Sequence, residues 1–242
     1  MEDKKLILHI DWASQPSRAI VCFCRMAKIP HEINEVRVGQ LQQRDEKFTA
    51  INPNMQVPAI TEIDLKTGEQ FNLFESHAIL KYLAQSRNVA DNWYPKDPIK
   101  RMKVDIYLDW HHQGIRQSLG FLIFKMLFGP MFFGSETPQD VLEFQRRNQT
   151  KDLRLIESWL SKAKFISGDE ISIADISCAC ELIQGRFIEL DLSKYPHIEK
   201  WLQMMIFEIP EMHESHKFML KLAEASLQKQ KKQKQKLDKP KL

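Results

Sequence analysis

Asp11-Trp12-Ala13-Ser14-Gln15-Pro16-Ser17-Arg18-Ala19-Ile20 follows directly on the apolar run Leu6-Ile7-Leu8-His9-Ile10. The change in pattern predicts a strand that ends and a helix that begins, with a serine at the joint. Pro16 suits the first turn of that helix, where its missing N–H is not needed. Ser14 then has two readings. As an N-cap, its oxygen accepts from a backbone N–H of the first turn and contributes about 1 kcal/mol. A cap is the simpler reading; the other is that its hydroxyl donates to an anion held at the positive end of the helix. A thiolate is such an anion, because helix N-termini depress thiol pKa values.

Outward from this joint, residues 5–85 alternate strand-like and helix-like segments. Leu6–Ile10 reads as a strand and Pro16–Lys28 as a helix. A second strand is expected over His31–Val38 and a short helix over Asp45–Ala50. Val57–Ile63 and Gln70–Phe74 form a strand pair around the Lys66-Thr67-Gly68 turn. Ser76–Ser86 closes the half as a helix, so the order is βαβ, a connection, then ββα. The polar segment Asn88–Asp97, containing Pro95, marks a boundary. Beyond it the pattern is helical. Asp97-Pro98 opens a long helix with apolar residues at Ile99, Met102, Ile106 and Trp110. Thr137-Pro138 opens another helix, Ser172-Ile173-Ala174-Asp175 has capping-box spacing ahead of a helix to Leu190, and a further helix follows Pro196.

Composition excludes several classes. The chain has 242 residues, 43% hydrophobic and 28% charged, as expected of a globular protein with a substantial core. The apolar run after the N-terminus is too short for a signal peptide. The longest apolar stretch, Leu119 to Gly134, is broken by Lys125 and Gly129-Pro130, and no membrane span is expected. Net charge is +3, but residues 229–242 carry seven lysines and one aspartate, leaving −3 for the remainder. A near-neutral body argues against nucleic-acid binding, and the lysine-rich end reads as a disordered tail. The four cysteines form two C-x-C pairs, Cys22/Cys24 and Cys178/Cys180, in helical patterns. Residues two apart on a helix point in different directions, so these are expected to be buried, reduced thiols of a cytoplasmic protein, and no metal site is expected.

Two further stretches could carry chemistry. In Asn52-Pro53-Asn54-Met55-Gln56-Val57-Pro58, a proline just ahead of a strand suits either a cis bond beside a ligand or a plain edge strand. At Phe74-Glu75-Ser76-His77 a strand runs into a helix, where a backbone N–H, a hydroxyl and a carboxylate could together hold a group bearing both ammonium and carboxylate. Capping by Ser76 is the simpler alternative.

Together these segments resemble the theta-class cytosolic glutathione S-transferases over residues 5 to about 225. The resemblance rests on SQPSRA (14–19), NPNMQVPAI (52–60), ESHAILKYL (75–83), DNWYPKDP (91–98), YLDWHHQGIR (107–116) and SGDEISIADI (167–176). It implies an α+β thioredoxin-like domain (βαβ-ββα, residues 1–88), a linker (89–97), an all-α domain that helps bind an electrophile (98–226) and the tail (227–242). It also implies that Ser14 stabilises the glutathione thiolate, and that Gln43, Arg44, Gln56, Val57, Glu75, Ser76 and Asp105 contact glutathione. Asp105 would act from the partner subunit of a homodimer, and Arg116 would meet a small hydrophobic or halogenated electrophile. Glutathione is a co-substrate in this family, and no cofactor is expected. Gln43 stands where many family members have histidine, the 64–70 hairpin is longer than usual, and the lysine-rich tail is not a family feature. The alternatives are a dehalogenase or peroxide reductase on the same scaffold, or a non-catalytic binding or assembly module.

Overall fold

The structure is a computed structural model that describes residues 4–130, 134 and 136–237. Strand β1 (Lys4–Ile10) leads into helix α1 (Gln15–Met26), followed by β2 (Glu32–Glu35), the single turn α2 (Glu46–Thr49), β3 (Ala59–Asp64), β4 (Gln70–Phe74) and α3 (Ser76–Ser86). The four strands form one mixed sheet in the order β2-β1-β3-β4. The β1–β2 pair is parallel and the other two pairs are antiparallel. Leu8 and Ile10 point from β1 to the buried face, where Ile20, Phe23, Ile79 and Leu80 from α1 and α3 meet them. The expected βαβ-ββα order holds, although β2 is shorter than its apolar pattern implied.

The helical half begins with α4 (Pro98–Gln113), capped by Asp97, whose side chain accepts from Lys100 N. A largely π-wound stretch follows, Arg116–Gly120 and Phe124–Phe128 around α5 (Phe121–Ile123). Then come α6 (Gln139–Leu160), α7 (Ile173–Leu182), α8 (Pro196–Gln203) and α9 (Pro210–Leu237). The helix expected up to Leu190 changes to 3-10 winding at Ile183. One hydrophobic core runs through both halves. Cys22 and Phe23 of α1 share it with Ile176 and Cys180 of α7 and Met212 and Met219 of α9. Among the described residues, no helix is long and apolar enough to cross a membrane.

One expectation differs from the structure, and one orientation that the sequence left open is settled by it. The segment expected to be disordered from 227 continues α9 to Leu237. Lysine, glutamine and leucine are good helix formers, and Gln230 and Lys231 tie this turn to the Phe187 carbonyl and to Glu189. Residues 238–242 lie outside the described residues. On α4, the stripe Ile99, Met102 and Ile106 faces solvent at 66%, 54% and 53% exposure. The buried face is instead Val104, Tyr107, Leu108 and His111. Of the apolar stretch Leu119 to Gly134, Met131–Phe133 lie outside the described residues.

Candidate functional site

A cleft of ≈130 Å³ opens where the two halves meet. It is lined by Gln15 and Pro16 of α1, Asn52, Asn54, Gln56, Val57 and Pro58 of the loop before β3, Glu75 and Ser76 at the head of α3, and His111, His112 and Arg116 from the helical half.

Ser14 sits beside this cleft as the N-cap of α1. Its backbone is extended (φ −75°, ψ 121°), and its Oγ accepts from Ser17 N at 3.4 Å, beyond the usual 2.7–3.2 Å range. Among the described residues that hydroxyl donates to no protein acceptor. The cap is therefore loose and its proton uncommitted. The cleft wall begins one residue further on, at Gln15. The loop carrying Ser14 is fastened from two sides. Arg18 Nη1 donates to the Trp12 and Ala13 carbonyls, each at 2.9 Å. Asp11 accepts from Ala13 N at 2.8 Å and Val38 N at 2.9 Å. Ser17, the other nearby hydroxyl, is 0% exposed, and that burial removes it from contention.

The loop before β3 is built around Asn52. Its Nδ2 donates to the Gln56 carbonyl at 2.7 Å, and its Oδ1 accepts from Asn54 N at 3.0 Å. Val57–Pro58 is cis. Glu75 has φ 71° and ψ 110°, a region that costs a non-glycine residue of order 1–3 kcal/mol and is held only where surroundings impose it. Its carboxylate makes no capping bond to α3. Ser76 is the first residue of that helix and is 9% exposed.

Beneath the cleft lies a buried polar floor. His77 contacts the Leu108 carbonyl (3.0 Å) and Ser177 Oγ (2.8 Å), and its ring packs on His111 and His112. Burial, assisted by the charge on His112, pushes the His77 pKa down to about 3. Burial and His77 similarly hold His111 well below the usual imidazole range. Arg116 Nη1 reaches from the cleft wall to Gln15 Oε1 (3.2 Å) and Glu181 Oε2 (3.3 Å). Burial raises the Glu181 pKa, and Arg116 opposes that rise.

Of the residues singled out in the sequence, the structure gathers Gln56, Val57, Glu75, Ser76 and Arg116 around one cleft, with Ser14 at its edge. Gln43 and Arg44 lie on a 3-10 turn outside the lining residues, and Gln43 Oε1 is buried with no hydrogen-bond partner among the described residues. Asp105 also lies outside the cleft, bound by Lys81 Nζ at 2.6 Å and Tyr94 OH at 3.0 Å. Gln15, Asn52, Asn54 and His111 line the site without having been singled out as ligand contacts. Their signals were of position alone: Gln15 stands next to the serine cap, Asn52 and Asn54 lie in the stretch that ends at Pro58, and His111 lies within the 107–116 segment. Trp110 packs against Trp159 at a centroid distance of 5.2 Å and belongs to the helical packing.

The comparisons with known proteins agree with this geometry. Residues 11–85 match the family model of the glutathione S-transferase N-terminal domain, and residues 120–208 match that of the C-terminal domain. The chain is 36% identical over 230 residues to glutathione S-transferase T1 of Arabidopsis thaliana, with 91% of each chain covered. It is 33% identical over 230 residues to human glutathione S-transferase theta-1, with 89% of each covered. The solved structure of human glutathione transferase theta-2, in complex with glutathione and an unknown ligand, superposes with a TM-score of 0.82 at 30% identity, covering 93% of this chain and 91% of that one.

Proposed function

From the premise that this chain belongs to the glutathione S-transferase family, as a theta-type enzyme that conjugates glutathione to electrophiles, we propose that Ser14 activates the thiol. The uncommitted Ser14 hydroxyl at the N-terminus of α1 carries this reading. A hydroxyl and a helix end directed at one sulfur both favour the thiolate over the thiol. The thiolate attacks an electrophilic carbon, and the leaving group departs with its electron pair. No covalent intermediate with the protein is required. Holding both reactants in one cleft supplies much of the remaining acceleration.

In this reading the cysteinyl part of glutathione lies along Val57. Glu75 and Ser76 take the ammonium and carboxylate of the γ-glutamyl end, beside Gln56. Gln43 and Arg44 approach the glycyl end, where the Gln43 Nε2 can donate to its carboxylate. Arg116, about a third exposed at the cleft wall, meets an anionic leaving group on a small hydrophobic or halogenated substrate. The solvent-facing stripe Ile99-Met102-Ile106, with Phe71 also 47% exposed, supports a homodimer in which Asp105 approaches the partner's glutathione. Four free buried cysteines support a reducing, cytoplasmic setting.

The test is an ultraviolet difference titration of glutathione bound to wild type and to Ser14→Ala. The expected result is a thiolate forming on wild type well below the pH at which free glutathione ionises, with the transition moved upward in Ser14→Ala. An unshifted thiol on wild type, or the same shift in the variant, overturns the role given to Ser14.

A further inference from the structure

Two turns along α1 from the cleft, three side chains from three helices converge. Cys22 comes from α1, Cys180 from α7 and His216 from α9. One potential ligand atom from each lies within 4.8 Å of the other two, and all three residues are fully buried. The imidazole is oriented in a particular way. His216 Nδ1 lies 2.7 Å from the Met212 carbonyl, a bond that makes Nδ1 the protonated nitrogen. Nε2 is then a buried lone pair, and among the described residues it has no hydrogen-bond partner. A ring N–H fixed by a backbone carbonyl, with the other nitrogen left bare, is the usual arrangement of a metal-binding histidine.

A second buried group lies on the same face of α1, one turn before Cys22. Arg18 is 0% exposed. Its Nη1 is used by the Trp12 and Ala13 carbonyls, but Nε and Nη2 have no partner among the described residues. Its charge is felt by Cys180, Cys22 and the buried Glu181, whose carboxylate is already bound by Arg116. A permanently charged, half-satisfied guanidinium buried beside two thiols calls for one compensating negative charge.

We propose that Cys22, Cys180 and His216 form a three-coordinate site for a soft monovalent cation, Cu(I). Two thiolates and one Cu(I) carry a net charge of −1, which Arg18 neutralises. A zinc ion in the same place would leave the guanidinium uncompensated. Structural zinc also takes four ligands, and no fourth histidine, cysteine or carboxylate joins this group among the described residues. Thiolate ligands select soft ions such as Cu(I). Metal–sulfur and metal–nitrogen bonds of about 2.3 and 2.0 Å set the ligands of a three-coordinate centre about 3.7–4.0 Å apart, so the helices need to close by less than about 1 Å. Binding displaces one proton from each thiol to solvent and involves no change of oxidation state. The site joins the glutathione-binding half, through α1, to the helical half, through α7 and α9.

Because the ligands are sealed from solvent, the ion enters as the chain folds. The full-length protein is therefore produced in cells given copper or, separately, zinc, purified under reducing conditions and challenged with a Cu(I) chelator. Metal per chain is then measured. The expected result is wild type retaining about one copper ion per chain and no zinc. Cys180→Ser and His216→Gln should retain roughly tenfold less or lower still, and Cys24→Ala, which alters a buried thiol outside the group, should match wild type. Circular dichroism and conjugating activity report whether each variant is folded. X-ray absorption at the copper edge of wild type needs no variant, and two sulfur neighbours and one nitrogen are expected. Loss of copper from wild type to the chelator, equal retention by the variants, zinc held at these residues, or any other ligand set overturns the proposal.

Discussion

Ser14 and Ser172 are both serine N-caps, at the heads of α1 and α7, and their surroundings differ. Ser172 is 1% exposed and belongs to a closed capping box. Its Oγ accepts from Ala174 N, its N–H donates to Asp175 Oδ2 at 2.9 Å, and Asp175 Oδ1 accepts from Ile166 N at 2.8 Å. Every strong group there is answered within the protein. Ser14 is half-buried, holds Ser17 N only at 3.4 Å and keeps its own proton free. The head of α3 is a third case, with Glu75 in a left-handed conformation and making no side-chain cap at all. A helix N-terminus answered internally serves the fold, whereas one left open toward a cleft is available to a ligand. Substitutions at the closed cap should therefore register in stability and those at the open caps in binding and turnover.

The largest effect is expected at the closed cap. Asp175→Ala leaves two buried backbone donors and the Ser172 hydroxyl without their acceptor. At about 1–3 kcal/mol for each of the three stranded groups, a total of roughly 3–9 kcal/mol follows, and the melting temperature falls by roughly 10 °C or more. Thermal denaturation monitored by circular dichroism measures this. A fall of only a degree or two would mean that the closed cap is not a structural element, and the contrast would fail.

Ser14→Ala should behave in the opposite way. Its capping bond is long, so stability drops by no more than about 1 kcal/mol. Turnover should fall about 10²–10³-fold, the range seen when one preorganised donor to a developing or bound anion is removed. Steady-state conjugation assays beside a melting curve compare the two. A large thermal loss with near-normal turnover would assign Ser14 to the fold after all.

Glu75→Gln tests the third helix head. It keeps the shape and removes the charge proposed to face the γ-glutamyl ammonium. Charge-assisted hydrogen bonds contribute about 1.5–3 kcal/mol, so glutathione should bind about tenfold more weakly or worse. The melting temperature should stay unchanged, because no protein group among the described residues depends on that carboxylate. Calorimetric titration with glutathione reads the change.

The capping chemistry was legible in the sequence because it is local. Asp97-Pro98, Ser172–Asp175 and Ser14–Pro16 each announce a helix start within four residues, and α3 begins and ends where its pattern placed it. What separates Ser14 from Ser172 was not legible locally, since it depends on whether another element covers the cap. The family resemblance supplied that distinction. The polar floor was equally hidden, because His77 meets Ser177 across 100 residues and Arg116 meets Gln15 across 101. The buried face of α4 was not legible for a related reason. Apolar periodicity identifies a stripe, but a stripe such as Ile99-Met102-Ile106 does not reveal whether it faces this chain's core or another surface.

The smallest effect is a pH dependence that tests whether the closed cap is as sealed as its geometry implies. Burial raises the Asp175 pKa to about 6 from the ordinary 3.8, against the hydrogen bonds that favour its charged form. Between those two values the folded chain holds a proton that the unfolded chain has released. Stability contributed by this group is therefore greatest at low pH and falls as pH rises through 6. Between pH 5 and pH 7 the loss is about 1 kcal/mol. His77 works against it. With its pKa lowered to about 3, the unfolded chain gains a proton below 6.5 that the folded chain refuses, so its contribution falls as pH drops. The two slopes partly cancel in wild type, and the measurement must be a difference. Asp175→Asn, which cannot titrate, should lose stability relative to wild type by about 1 kcal/mol more at pH 5 than at pH 7. A difference that stays constant with pH would place Asp175 in contact with water, and the closed cap would then differ from the open one only in degree.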